Sequence, residues 1–184
     1  MTQLHHRFTP MAPGFDLGAF DCGEEHDNRW LVNGAEAAVK AGTAGVYLLL
    51  QENSGHPPRV VAYYAICPTA VIRDAVIRDD LPNSVTSSMP NPVPGFMLAK
   101  MALDLLLRGD KAAMWGTQLV VAALRRIVEA ANISGGRVIV VDADNEGLLP
   151  FYSSHSFLPT KVNPLRLYMK VATARKLIEG YGAD

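Results

Sequence analysis

Apolar positions follow two different periods along this chain. The runs GVYLLLQ (45–51) and RVVAYYAICPTAVI (59–72) are rich in β-branched and aromatic residues. The turn mixture ENSGHPP lies between them, so the pattern predicts two strands joined by a hairpin. A shorter run at 4–9 reads as a further strand. The segment FDCGEEHDNRWLVNGAEAAVKAG (20–42) opens with acidic residues and continues with Trp30, Leu31, Ala35 and Val39 at helical spacing, which predicts one capped helix. Residues 79–94 hold four prolines together with Ser and Asn, a composition that excludes a helix and predicts a loop crossing over the sheet.

The second half alternates. GFMLAKMALD (95–104) is an apolar run of strand length that enters the polar, Gly-containing piece RGDKAAMWG. From Thr117, the residues Leu119, Val120, Ala123, Leu124, Ile127 and Val128 form one apolar stripe, with Arg125, Arg126 and Glu129 on other faces, and this helix ends near ISGG. RVIVVDA reads as a buried strand, EGLLPFYSSHSF as a short helix interrupted or started by Pro150, PLRLYMKVA as a strand and ATARKLIEGYG as a closing helix. An antiparallel meander followed by alternating strand and helix is the order of an α/β fold, a mixed sheet with flanking helices, here expected as a single domain over 1–184.

Composition narrows the classes. With 184 residues, of which 49% are hydrophobic, the chain is long enough to bury a sizeable core. Its apolar runs fall well short of the roughly 20 residues that cross a bilayer. The start MTQLHHRFTPMAPGFD lacks the basic and apolar regions of a secretory signal, so a cytoplasmic protein without a membrane segment is expected. Cys22 and Cys67 stand alone, and His5, His6, His26, His56 and His155 have no ligand spacing, so no metal site is expected. The net charge of −1 hides an asymmetry: residues 1–90 carry 6 basic and 10 acidic side chains, residues 91–184 carry 11 and 8. Basic surface for an anionic partner is therefore expected in the second half, with Arg125, Arg126, Lys161, Arg166, Arg175 and Lys176 as candidates. Arg73 and Arg78 have acidic neighbours and count for less.

The strand, loop and helix at GFMLAKMALDLLLRGDKAAMWGTQLVVAAL resemble the acetyl-CoA-binding core of GNAT N-acetyltransferases. That resemblance implies a GNAT acyl-CoA N-acyltransferase fold, in which backbone groups of Met101, Ala102 and Leu103 hold the pantetheine arm. The loop and the start of the following helix, through Arg108, Gly109, Lys111, Met114, Trp115, Gly116 and Thr117, would take the pyrophosphate, because a helix N-terminus presents backbone N–H groups and positive dipole. The sequence departs from the family's loop of Arg or Gln, two residues, Gly, one residue, then Gly or Ala. Counting back from Gly116 puts Lys111 at the basic position and Met114 at the first glycine. Counting forward from Arg108 puts Lys111 and Ala113 at the small positions.

VDADNEGLLPFYSSHSF resembles a second GNAT segment, on which Asn145 falls at the family's cofactor-binding Asn and Tyr152 at its catalytic Tyr. The implied role of Tyr152 is to protonate the departing coenzyme A thiolate, since a phenol with an ordinary pKa of about 10 is a protonated donor at neutral pH. FDCGEEHDNRWL, VVAYYAI, MPNPVPGFMLAKMALD and NPLRLYMKV, in that order, look like the GNAT toxins of bacterial toxin-antitoxin modules. This narrower resemblance implies acetyl transfer from acetyl-CoA to the α-amino group of aminoacyl-tRNA, a homodimer and a ribbon-helix-helix antitoxin. Arg125 and Arg126 would then contact tRNA. An α-amino group, with a pKa near 8, needs less help from a base than a lysine near 10.4. Asp142, Asp144 and Glu146 are the nearest carboxylates to Tyr152 and read as turn or solvated residues. Two other readings stay open: a GNAT enzyme acting on a small or protein amine, and a non-catalytic GNAT-fold binding protein whose phosphate loop has degenerated.

Overall fold

The computed structural model describes residues 4–72, 90–160 and 162–182. Most of the expected loop at 79–94, together with Arg73, Arg78 and Lys161, lies outside these residues. Strand β1 covers His5–Pro10, helices α1 and α2 cover Glu25–Asn33 and Ala35–Lys40, and strands β2 and β3 cover Gly45–Glu52 and Arg59–Val71. Strand β4 (Val93–Leu103) leads through a one-turn helix α3 (Leu105–Arg108) to the long helix α4 (Trp115–Ser134). Strand β5 (Val138–Asp142), a 3-10 turn (Glu146–Leu148), helix α5 (Leu149–Ser154), strands β6 (Leu158–Pro159) and β7 (Arg166–Lys170) and helix α6 (Val171–Glu179) follow. The seven strands form one mixed sheet in the order β1-β2-β3-β4-β5-β7-β6. The chain divides into two compact units, Met1–Cys67 with Lys100–Ala123, and Pro68–Ala99 with Leu124–Asp184.

In the first unit β1, β2 and β3 form an antiparallel meander. Leu48, Leu49 and Leu50 are all buried, as is every residue from Val60 to Ala65, so both faces of these strands are covered. That is why their apolar runs are continuous rather than alternating. Adjacent tyrosines point to opposite faces, as the strand period of two requires. Tyr63 stacks on Trp30 of α1 at 5.7 Å and donates to the Asp27 carbonyl at 3.0 Å. Tyr64 stacks on Tyr47 at 5.1 Å and reaches the Ala122 carbonyl of α4 at 3.5 Å.

The expected single helix over 20–42 is two helices. The break falls at Gly34, where φ is −112° and where a Cβ would come within 3.1 Å of the Trp30 ring. A Cβ there would need the indole to give by a few tenths of an ångström, so this close packing favours glycine, which also costs a helix interior backbone entropy. Nor does a side chain cap α1: Glu24 makes no capping bond, and Glu25 and Asp27 instead place carboxylates in the first turn, against the positive end of the dipole.

In the second unit β5 runs parallel to β4 through 95–98 and antiparallel to β7. A Cβ on Gly95 would lie 2.2 Å from the Val138 carbonyl oxygen, so only glycine admits this strand approach. Val93, Met97, Val138, Val140 and Tyr168 pack together around it. Boundaries differ from expectation at several elements: β4 begins already at Val93, α4 starts at Trp115 rather than Thr117, and Val171 and Ala172 open α6 instead of ending β7. The two-residue β6 is too short for any periodicity to show.

Candidate active site

The β4–β5 ladder covers 95–98 and ends there, while β4 continues to Leu103. The backbone groups of 99–103 on the β5 side are therefore not used by that ladder. Side chains along this stretch alternate. Ala102 lies in the first unit's core with Leu31 and Tyr63, and Met101 and Leu103 are half-buried. Lys100 donates to the buried Asp27 carboxylate at 2.7 Å and sits 3.2 Å from Nδ1 of the exposed His26. A buried carboxylate is tolerated here because Lys100 and the first turn of α1 compensate it.

Asp104, 1% exposed, closes the strand. Its Oδ1 accepts from the Leu106 amide at 2.9 Å, which caps α3, and its Oδ2 accepts from the Asp21 amide at 3.1 Å and from Arg59 at 3.3 Å. After α3 the loop leaves Arg108, Gly109 and Lys111 exposed. A Cβ on Gly109 would meet nothing within 4 Å, and its φ of −74° suits any residue. Met114 is different: with φ 47° it occupies the left-handed region that favours glycine. The Ala113 amide donates to Asp110 at 3.1 Å, and the Gln118 amide donates to the Met114 carbonyl at 3.1 Å, fastening the loop to α4. Trp115, Gly116 and Thr117 form the first turn of α4 and are half-buried. The Trp115 ring lies 4.3 Å from that of His6, and its Nε1 is buried with no hydrogen-bond partner among the described residues. Burial, and secondarily the neighbouring His5, push the His6 pKa down.

The second unit holds the other candidates. Asn145 caps the 3-10 turn, its Oδ1 accepting from the Gly147 amide at 2.9 Å. Tyr152 is buried on α5, with edge contacts to Phe151 at 5.3 Å and Phe157 at 5.7 Å. His155, one turn on, is also buried, with Nδ1 2.8 Å from the Phe151 carbonyl, a geometry in which that nitrogen carries the proton. Arg125 donates to the Gly182 carbonyl, and Arg126 pairs with Glu129 at 2.7 Å. Arg166 is held by Asp142 through two bonds of 2.7 Å, which raises its pKa further. Arg175 donates to Asn132, and Lys176 is exposed. The sequence reading missed Asp27, Lys100 and Asp104. For Asp104 a signal existed, an Asp directly after a strand and two residues before the amide it caps, but one turn of helix is too short to show a period.

Among the described residues no group of three or more His, Cys, Asp or Glu could hold a metal ion, and no helix is long and apolar enough to cross a membrane. No family model matches the chain. It is 29% identical over 163 residues to a tRNA-acetylating toxin of Mycobacterium tuberculosis, covering 89% of this chain and 90% of the relative. Among solved structures, AtaT complexed with acetyl-methionyl-tRNAfMet superposes with a TM-score of 0.80 at 26% identity, covering 94% of this chain and 99% of the other. The fold is that of the GNAT toxins. A second GNAT structure, AtaTR bound with acetyl-CoA, has a TM-score of 0.77 at 26% identity, with 94% and 97% covered. Met114, the position that the count back from Gly116 assigns to the first glycine, has a backbone conformation that favours glycine.

Proposed function

We propose that the chain is an acetyl-CoA-dependent N-acetyltransferase that acetylates the α-amino group of aminoacyl-tRNA and so blocks translation as a toxin. The observation that carries the acetyl-CoA part is β4 running on past its ladder with β5, which leaves strand backbone at 99–103 for the amides of a pantetheine arm. The likeness to a tRNA-acetylating toxin over 89% of the chain supports the acceptor. In this reading the amine attacks the thioester carbon while backbone groups of Met101, Ala102 and Leu103 hold the oxyanion. The start of α4, with Arg108 and Lys111, receives the phosphates. The C–S bond breaks, Tyr152 delivers its proton to the leaving thiolate, and the proton shed by the amine nitrogen returns to the phenolate through solvent. A homodimer acting in the cytoplasm, neutralised by a ribbon-helix-helix antitoxin, completes the proposal.

A small-amine acceptor is the second reading, favoured by the engagement of Arg126 and Arg166 with carboxylates, which reduces the basic surface open to phosphates. Mass spectrometry of aminoacyl-tRNA incubated with enzyme and acetyl-CoA separates the two. The expected result is an N-acetylated aminoacyl adduct, formed roughly 10²- to 10⁴-fold more slowly by Tyr152→Phe. A pool without adduct, under conditions where a generic amine is acetylated, refutes the tRNA acceptor.

A further inference from the structure

The FDCG segment resembles GNAT toxins yet has no part in the chemistry above. Its contacts show what it grips. The Asp21 amide donates to Asp104 Oδ2 at 3.1 Å, and the Leu105 amide donates back to the Asp21 carbonyl at 2.9 Å, so two bonds of opposite direction tie the segment to the end of β4 and the start of α3. The segment is itself braced. Asp21 Oδ1 accepts from the Gly23 amide and from Asn28 Nδ2, both at 2.8 Å, and the Cys22 amide donates to Asn28 Oδ1 at 2.9 Å. Arg59 bridges Asp104 and the Ala19 carbonyl, at 3.3 and 2.9 Å. The Asp104 amide donates to the Val61 carbonyl of β3 at 2.9 Å.

We infer that Asp104 is a positioning residue for acetyl-CoA, clamped by the 19–28 segment and Arg59 so that the end of β4 and the start of the phosphate loop keep a fixed geometry. Its place in the chain motivates this. Asp104 directly follows Leu103 and stands four residues before Arg108, so it separates the strand proposed to hold pantetheine from the loop proposed to hold phosphates. Both of its oxygens are occupied, one by the cap of α3 and the other by the clamp. Two binding elements joined by one helical turn share a ligand only if that turn does not swivel, and displacements near 1 Å lower affinity and rate steeply. The inference rests on the acetyl-CoA reading of β4 and not on the identity of the acceptor.

Asp104→Asn tests it, because the amide is isosteric but sets a donor against donors that now meet a carboxylate. Calorimetry with acetyl-CoA alone is expected to give a Kd raised about tenfold or more, with KM rising in parallel. Arg59→Met, at a side chain 41% exposed, is expected to fold and to raise Kd in the same direction by less. The double variant should show less than the product of the two effects, because both act on one bond. A merely structural Asp104 predicts the opposite split, in which kcat falls with the unfolded fraction while Kd and KM stay within about twofold. That split overturns the inference, as does an unchanged Kd in Arg59→Met should Asp104→Asn fail to fold. Wild-type protein that binds acetyl-CoA without modifying aminoacyl-tRNA refutes the acceptor and leaves the clamp standing. Wild-type protein that does not bind acetyl-CoA overturns both.

Discussion

Met114 offers a measurement at the point where this chain leaves the GNAT pattern. Its φ of 47° places an L side chain in the left-handed region, at roughly 1–2 kcal/mol above the right-handed one. The residue is 58% exposed, so truncation removes little buried surface and the backbone term dominates. Met114→Ala keeps the Cβ and the penalty. Met114→Gly relieves it, at an offset of about 0.5–1 kcal/mol for the added freedom of the unfolded chain. The glycine variant should therefore be more stable than the alanine variant by about 0.5–1 kcal/mol, read from urea midpoints at unchanged m. It should also bind acetyl-CoA at least as tightly as the native loop, since removing a Cβ only widens the approach to a phosphate. An alanine variant as stable as the glycine variant, or more so, would show that residue 114 is not left-handed in solution.

Lys100→Met should destabilise the protein by about 3–5 kcal/mol, because Asp27 (side chain 10% exposed) loses a partner that is itself 18% exposed. The double variant Lys100→Met with Asp27→Asn should recover at least half of that loss in urea melts. A single variant within about 1 kcal/mol of wild type would mean the pair contributes no more than a surface ion pair. His6 gives a pH signature. Its pKa lies below the ordinary 6.5 in the fold, so on acidification the unfolded chain takes up a proton before the folded one does. The contribution of neutral His6 is complete above 6.5 and is lost as pH falls from there through the folded value, and His6→Gln should flatten urea midpoints across that window.

Much of the fold was legible because burial leaves a periodic trace. The continuous runs of β2 and β3 and the stripe from Leu119 to Val128 reported strands covered on both faces and a helix with one buried side. The ordered motifs from Phe20 onward pointed to the GNAT toxins, which the comparisons over the whole chain support. Where a single residue without periodicity decided the local structure, the reading failed. Gly34 looked like one more residue in a helical pattern, and only the fold shows the break between α1 and α2 at this position. In α3 and β6, the span is shorter than the period needed to recognise it.

The candidate site divides along the same line. Tyr152, Asn145 and the 101–117 segment are candidates that the sequence itself offers, because such motifs are local and their spacing survives in one dimension. That sequence also determined the departure from the family's loop, since the missing glycine is a matter of residue identity. What only the tertiary structure supplies is the backbone conformation at the counted positions. Backbone conformation at Met114 and Gly109 depends on how the loop is fastened to α4, not on the residues in the loop alone. The roles of Asp27, Lys100 and Asp104 were likewise invisible, because an ionisable residue in a sequence carries no mark of its burial. Lys100 finds Asp27 from 73 residues away and Asp104 finds Asp21 from 83, separations that pattern cannot bridge and that chain folding alone closes.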